Sequence, residues 1–293
     1  MIKIGFVDQY LDNWHSNHYP EYIQLAAELY GIEAKVTHAY ARENHPDAVY
    51  GLTTSAWCEH YGCIRCGTYD ELIENVDAIM VMCADDCLPH EELALEALKG
   101  GKPVYCDKTF APTYEAAQRM FALAQAHHTS LFTCSAQRFC MELLSFQRME
   151  IEQVRYCSST GPGDMVNYSI HQFEMLETLM GIGAKRCQAF LSGETVHIVY
   201  QYEDGRMCTF TQGKKLPFHL FAETREEGVK EIAVTDYYMN FMYRLLRFFE
   251  DEKPPVTKAD TLEIMAMQQA GRKAIQCPGE WILLPCDSDG ITD

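Results

Sequence analysis

Residues 5–15 read GFVDQYLDNWH and follow directly on Met1-Ile2-Lys3-Ile4. The apolar run over 2–8 reads as a buried strand, and the stretch after it reads as a turn into a helix. Ser16 or Asn17 is placed to cap that helix, with Pro20 tolerated in its first turn. Tyr19, Ile23, Ala26, Ala27 and Tyr30 share one face, and Gly31 ends it. A strand, a tight turn and a helix open a doubly wound α/β domain, where the turn is normally rich in glycine and holds a dinucleotide's phosphates. Here no glycine follows Gly5, and the turn carries Asp8 and Asp12 instead. Either the loop has been rebuilt around a nucleotide, or the fold persists without one.

Working outward, 33–40 suits a second strand, 54–61 a short helix and 70–74 another. A strand over 77–82 leads to a helix over 90–98 that Gly100-Gly101 closes. A strand over 103–106 leads to a helix over 113–127, and 130–134 is a further strand. Strands and helices that alternate with short apolar strands predict a parallel sheet covered on both faces. The first domain is therefore a Rossmann-type doubly wound sheet over residues 1–137.

After Arg138 the pattern changes. Residues 153–159, 186–193, 195–203, 206–213 and 228–235 read as strands, several alternating in polarity, and Glu203-Asp204-Gly205-Arg206 reads as a hairpin turn. A helix over 169–180 interrupts them, and helices over 237–250 and 261–275 follow. Residues 138–293 thus predict an α/β domain with an open, mainly antiparallel sheet, whose final helix over 261–275 packs back on the first domain.

Composition narrows the partners. The chain has 293 residues, 47% of them apolar, enough for two real cores. A net charge of −18, from 24 basic and 42 acidic residues, argues against nucleic acid or an anionic membrane as partner. With no basic-then-apolar segment at the start and no long apolar run, the expected location is the cytoplasm. The 13 cysteines are then expected as reduced thiols. Cys58, His60, Cys63 and Cys66 tempt a zinc reading, but only one Cys-x-x-Cys is present, so no metal is assigned. Tyr10, Trp14 and Trp57 are candidates to stack on a sugar or base.

Several motifs stand in a fixed order: Cys83-Ala84-Asp85-Asp86-Cys87-Leu88-Pro89-His90, Asp107-Lys108-Thr109, Ser135-Ala136-Gln137-Arg138-Phe139, Asn167-Tyr168-Ser169-Ile170-His171 with Glu174, and Lys253-Pro254-Pro255. Together they resemble the glucose–fructose oxidoreductase / inositol dehydrogenase / rhizopine catabolism (Gfo/Idh/MocA) family over nearly the whole chain. The resemblance implies an NAD(P)-dependent oxidoreductase that moves a hydride to or from a hydroxyl or carbonyl of a sugar-like or polyol substrate. It also implies a homo-oligomer, a dimer or larger, formed through the open face of the second sheet.

Residue by residue the match is uneven. The family's Glu-Lys-Pro appears as Asp107-Lys108-Thr109, and its Asp-x-x-x-His as Asn167 and His171. Its three glycines fall on Asp8, Tyr10 and Asn13. The implied catalytic residues are Lys108, which would polarise the substrate oxygen, His171 as base, and Asn167. The implied cofactor residues are Asp8, Tyr10, Leu11, Arg42, Ala84, Asp85, His90, Asp107 and Lys108. Gln137, Arg138, Asn167 and His171 would bind substrate. Amides near Asn17, Tyr10 and Leu11 would take the phosphates, with Asp8 turned to a backbone or hydroxyl donor and His15 or His18 offsetting charge. The cofactor is NADP or NAD, and Arg42 after the second strand mildly favours NADP. The alternative is a catalytically lapsed relative that binds a small ligand or a partner protein, motivated by the joint loss of the glycines, the acid at Asn167 and the proline at Thr109. An enzyme that recycles a tightly held cofactor is a third possibility.

Overall fold

A computed structural model describes residues 1–47, 50–146, 153–226 and 228–286. They form two units, Met1–Cys134 with Tyr238–Lys258, and Ser135–Tyr237 with Ala259 onward. The first unit runs β1 (Ile2–Asp8), α1 (Trp14–Tyr30), β2 (Ala34–Ala41), α2 (Thr54–Tyr61), β3 (Ile64–Arg65), α3 (Tyr69–Asn75), β4 (Ala78–Val81), α4 (His90–Lys99), β5 (Val104–Cys106), α5 (Tyr114–Ala126) and β6 (Leu131–Phe132). Its sheet is parallel throughout, in the order β3-β2-β1-β4-β5-β6. The strand order reverses between β1 and β4, so the C-terminal ends of these two strands and of β5 border the switch point where such sheets bind ligands.

Burial explains why β1 sits in the middle. Every residue from Ile4 to Asp8 is buried, as a strand covered on both faces requires. Gly5 serves packing rather than phosphate binding: a Cβ there would lie 2.8 Å from Leu72 Cδ2, so α3 approaches the strand only because the side chain is missing.

The second unit opens with a 3-10 turn (Ala136–Phe139) and α6 (Met141–Phe146). It continues with β7 (Val154–Gly161), α7 (Ser169–Met180), β8 (Ala184–Ser192), β9 (Thr195–Tyr202), β10 (Met207–Gln212), β11 (His219–Thr224) and β12 (Gly228–Ile232). Past α8 (Tyr237–Asp251) it ends with α9 (Lys258–Gln276) and β13 (Ile282–Leu283). The sheet order is β12-β11-β7-β10-β9-β8-β13, antiparallel except for the β7–β10 pair. Phe173 of α7 stacks on Phe210 at 4.8 Å. Gly271 of α9 leaves room for Tyr200, whose hydroxyl donates to Met267 O at 2.8 Å; a Cβ there would meet that hydroxyl at 2.4 Å. Strand β11, unmarked in the sequence reading, pairs with both β7 and β12.

Helix α8 clusters with the first unit and α9 with the second. The reason is an aromatic face. Phe241 lies 5.5 Å from Tyr105 and 5.9 Å from Tyr19, and Phe248 meets Phe132 edge-on at 4.7 Å. Both phenylalanines are fully buried. Phe248→Ala is expected to lower unfolding free energy by about 3–5 kcal/mol through lost transfer energy and an unfilled cavity; urea unfolding of the full chain would measure it.

Candidate active site

The turn after β1 sets the first half of the site. Asn13 caps α1, its side-chain oxygen accepting the Ser16 N–H at 3.0 Å, so the cap lies three or four residues before the expected Ser16 or Asn17. The Asn17 amide is spent inside the helix on Asn13 O and is not a phosphate donor. Asp8, 1% exposed, uses both carboxylate oxygens. Oδ1 accepts the backbone N–H of Tyr10 (3.3 Å) and of Cys83 (3.1 Å). Oδ2 accepts Asn13 Nδ2 and Ser16 Oγ, both at 2.7 Å. Burial raises its pKa to about 7 against these four hydrogen bonds, which pull it down. Asp12, also buried, accepts the amides of Tyr50 and Leu52 and the Asn17 side chain. Leu11 is buried, and Tyr10 leans on His45.

The end of β5 supplies the second half. Asp107 is fully buried and accepts from Tyr105 Oη (3.1 Å) and Lys108 N (2.8 Å), while its other oxygen lies 2.5 Å from His15 Nδ1. Burial alone would push the Asp107 carboxyl up; His15 and Lys108 outweigh it and hold it below the usual range. His15 therefore serves Asp107 rather than the aspartates of its own loop, a role the misplaced helix cap hid. The Lys108 ammonium is buried and donates to Ala84 O at 2.8 Å. His90 is fully enclosed, its ring nitrogens against Met82 O (2.6 Å) and Thr109 O (2.8 Å); it ties the end of β4 to the segment after β5. Both ring nitrogens are thereby engaged with the chain's own backbone. Asp85 is exposed, and Arg42 pairs with Glu92 at 3.0 Å.

In the second unit, His171 in the first turn of α7 has Nδ1 2.6 Å from Ser135 Oγ. Glu174, one turn on, accepts Ser135 N (3.1 Å) and Arg138 Nη1 (3.0 Å), and Glu177 takes the same Nη1 at 2.5 Å. Arg138 is thus held between two buried carboxylates and would reach a substrate only by giving up these partners. Burial first, with Glu177 adding to it, raises Glu174 to about 7 despite Arg138. Gln137 is buried with its side-chain oxygen unpartnered. Asn167 is half-buried, its amide N–H donating to Asp164 Oδ1 at 2.9 Å.

Trp57 is fully buried and donates to Asn17 Oδ1 at 2.9 Å, so it stacks on no ligand. Trp14 remains partly exposed and stacks on His18 at 4.2 Å. Cys63 N donates to Cys58 O across the end of α2. Among the described residues, no three or more His, Cys, Asp or Glu side chains are grouped to hold a metal. No described helix is long and apolar enough to cross a membrane.

A family model described as an oxidoreductase family with an NAD-binding Rossmann fold matches residues 14–134. Over its first unit the chain is therefore similar to the Gfo/Idh/MocA family. It is 30% identical over 102 residues to an uncharacterized oxidoreductase of Schizosaccharomyces pombe, a match over 35% of this chain and 26% of that one. It is 24% identical over 169 residues to the inositol 2-dehydrogenase of Ralstonia nicotianae, over 52% of this chain and 50% of the relative. The matched stretches thus span a quarter to a half of these relatives. The fold follows that of the Lactobacillus casei scyllo-inositol dehydrogenase solved with NAD(H) and scyllo-inositol, with a TM-score of 0.74 at 14% identity over 97% of this chain and 99% of that one.

Against a dinucleotide, the two halves of the first unit differ. The switch point and the β5 end with Lys108 suit it. The β1 turn fits its phosphates only if Asp8 surrenders its donors. Because the folded pKa of Asp8 is raised, its contribution to stability is full below the unfolded value near 3.8 and is lost as pH rises through about 7. The stability of Asp8→Asn relative to wild type is therefore expected to rise by roughly 1–4 kcal/mol between pH 4 and pH 8, read by urea unfolding at each pH. A gap that is constant with pH would contradict the burial argument.

Proposed function

We propose that the chain is a nicotinamide-dinucleotide-dependent oxidoreductase acting on a CH–OH group of a sugar-like or polyol substrate. The observation that carries the reading is Lys108: a buried ammonium just past the C-terminal end of an interior parallel strand, beside an Asp107 held ionised by His15. When bound, the nicotinamide would supply the hydride acceptor or donor. The protein's part is proton handling and orientation. Lys108 would leave Ala84 O to donate to the substrate oxygen and stabilise its developing negative charge. In the second unit, His171, with Nδ1 beside Ser135 Oγ, is the base that the family resemblance implies, an imidazole being suited to proton transfer near neutrality. Asn167 replaces the family's acid and would orient the hydroxyl by hydrogen bonding without carrying charge. Asp107 acts through His15 and Lys108 rather than by touching substrate.

Arg42 gives NADP less support than the sequence suggested, since a 2′-phosphate would have to displace Glu92. The non-catalytic alternative draws its support from Asp8 and Asp12, which satisfy the turn's donors internally. Reduction of NAD or NADP by a panel of inositols and sugars separates the two. Lys108→Met is expected to lower kcat at least a hundredfold while the thermal melting curve stays cooperative; unchanged turnover would overturn the assignment. A homo-oligomer is proposed as well, supported by Phe190, Leu191 and Met207 of the second unit's sheet, each more than two-fifths exposed. Light scattering should give at least a dimer mass, and a monomer at micromolar concentration would overturn it.

A further inference from the structure

The four donors around Asp8 come from three elements. Tyr10 N–H belongs to the turn after β1, Cys83 N–H to the turn after β4, and Asn13 Nδ2 and Ser16 Oγ to the start of α1. Cys83 holds a positive φ of 60°, which non-glycine residues seldom adopt, and its amide is aimed at the carboxylate. Asn13 and Ser16 are buried with it. Two backbone amides, a side-chain amide and a hydroxyl that converge on one point make an anion cradle. In this chain the anion is part of the chain.

We propose that the Asp8 side chain is a built-in occupant of the phosphate cradle, and that a phosphate-bearing ligand engages this turn only by displacing it. The inference rests on reading the turn as a nucleotide-phosphate turn. It assigns Asp8 as the residue that sets selectivity against phosphate there. The replacement of the family's first glycine is then a substitution of ligand by side chain, since only a residue with a side chain at position 8 can reach the donors from within.

Two features support a selective role over a merely tidy turn. The carboxylate takes donors from the turns after both strands that border the switch point, so a second anion arriving there finds them engaged and, above about pH 7, meets a like charge. At a separation of about 5 Å and an effective dielectric near 20, that repulsion is worth on the order of a hundredfold in affinity. Asp12 repeats the device on the other side of the turn, consuming the amides of Tyr50 and Leu52. The loop is therefore satisfied without ligand and does not wait for a phosphate to order it.

The test is calorimetric titration of the full chain and of Asp8→Asn with inorganic pyrophosphate, ADP-ribose and adenosine. The variant removes the charge and keeps one of the two acceptor oxygens. Pyrophosphate and ADP-ribose should bind the variant roughly ten- to a hundredfold more tightly than wild type, and adenosine equally to both. Equal or weaker binding of ADP-ribose by a variant that melts normally would overturn the proposal. So would an equal gain for adenosine, or no binding of either phosphate ligand to either protein. If Asp8→Asn does not fold, Asp8→Ser carries the same comparison. None of the three probes needs hydride transfer, so the outcome is separate from turnover. A gain in ADP-ribose affinity without dehydrogenase activity would leave the proposal standing and remove the oxidoreductase reading; turnover without the gain would do the reverse.

Discussion

A carboxylate withdrawn from water must find donors, and Asp8 is withdrawn at the point where β1, β4 and α1 meet. Much of the first unit's local geometry answers that demand. Asn13 and Ser16 each give Asp8 one hydrogen bond, and Asn13 also caps the helix through Ser16 N. The helix therefore starts at Trp14, which brings His15 into its first turn and within reach of Asp107. The turn after β4 bends to a positive φ at Cys83 while its amide serves the same carboxylate. A single buried acid thus couples the phosphate turn to the β5 end.

Three buried acids solve the same desolvation problem differently, and the difference separates their roles. Asp8 is met by neutral donors only, so burial dominates and its pKa rises to about 7. Asp107 has His15 and Lys108 beside it, so it stays ionised despite complete burial and orients both. Glu174 shares one arginine with Glu177, and the surplus negative charge adds to burial in raising it to about 7. Breaking such a knot leaves an uncompensated buried charge, whereas intact it contributes little net stability. The arginine that the resemblance implies for substrate is accordingly held by the same carboxylate that positions Ser135 and, through it, His171.

Much of the fold was legible because the strands of the first unit are short, apolar and separated by well-marked helices. Thr113 caps α5, which starts one residue inside the helix expected over 113–127, and Gly31 ends α1 in the left-handed conformation. In the second unit, β11 was missed because HLFAET, with three polar residues in six, carries little apolar signal; its pairing with β7 and β12 is what makes it a strand. The helix cap was missed for a related reason. Asn13, Ser16 and Asn17 are all good capping residues, and only the demand of Asp8 for donors selects Asn13.

By itself the sequence determined the parallel first sheet, the mainly antiparallel second sheet, and the retention of Lys108 and His171 in the family's order. These follow from periodicity, turn residues and motif spacing, which are local. Tertiary structure alone decided which polar residues of those motifs face inward. His90, Arg138 and Trp57 look like ligand contacts in sequence and are buried partners of the chain's own groups. His15 looked like a charge offset for its loop and instead serves Asp107. The physical reason is that a side chain's partner is set by which strand ends the sheet order brings together. That adjacency joins residues 8, 15, 83 and 107, and no local window of the sequence contains it.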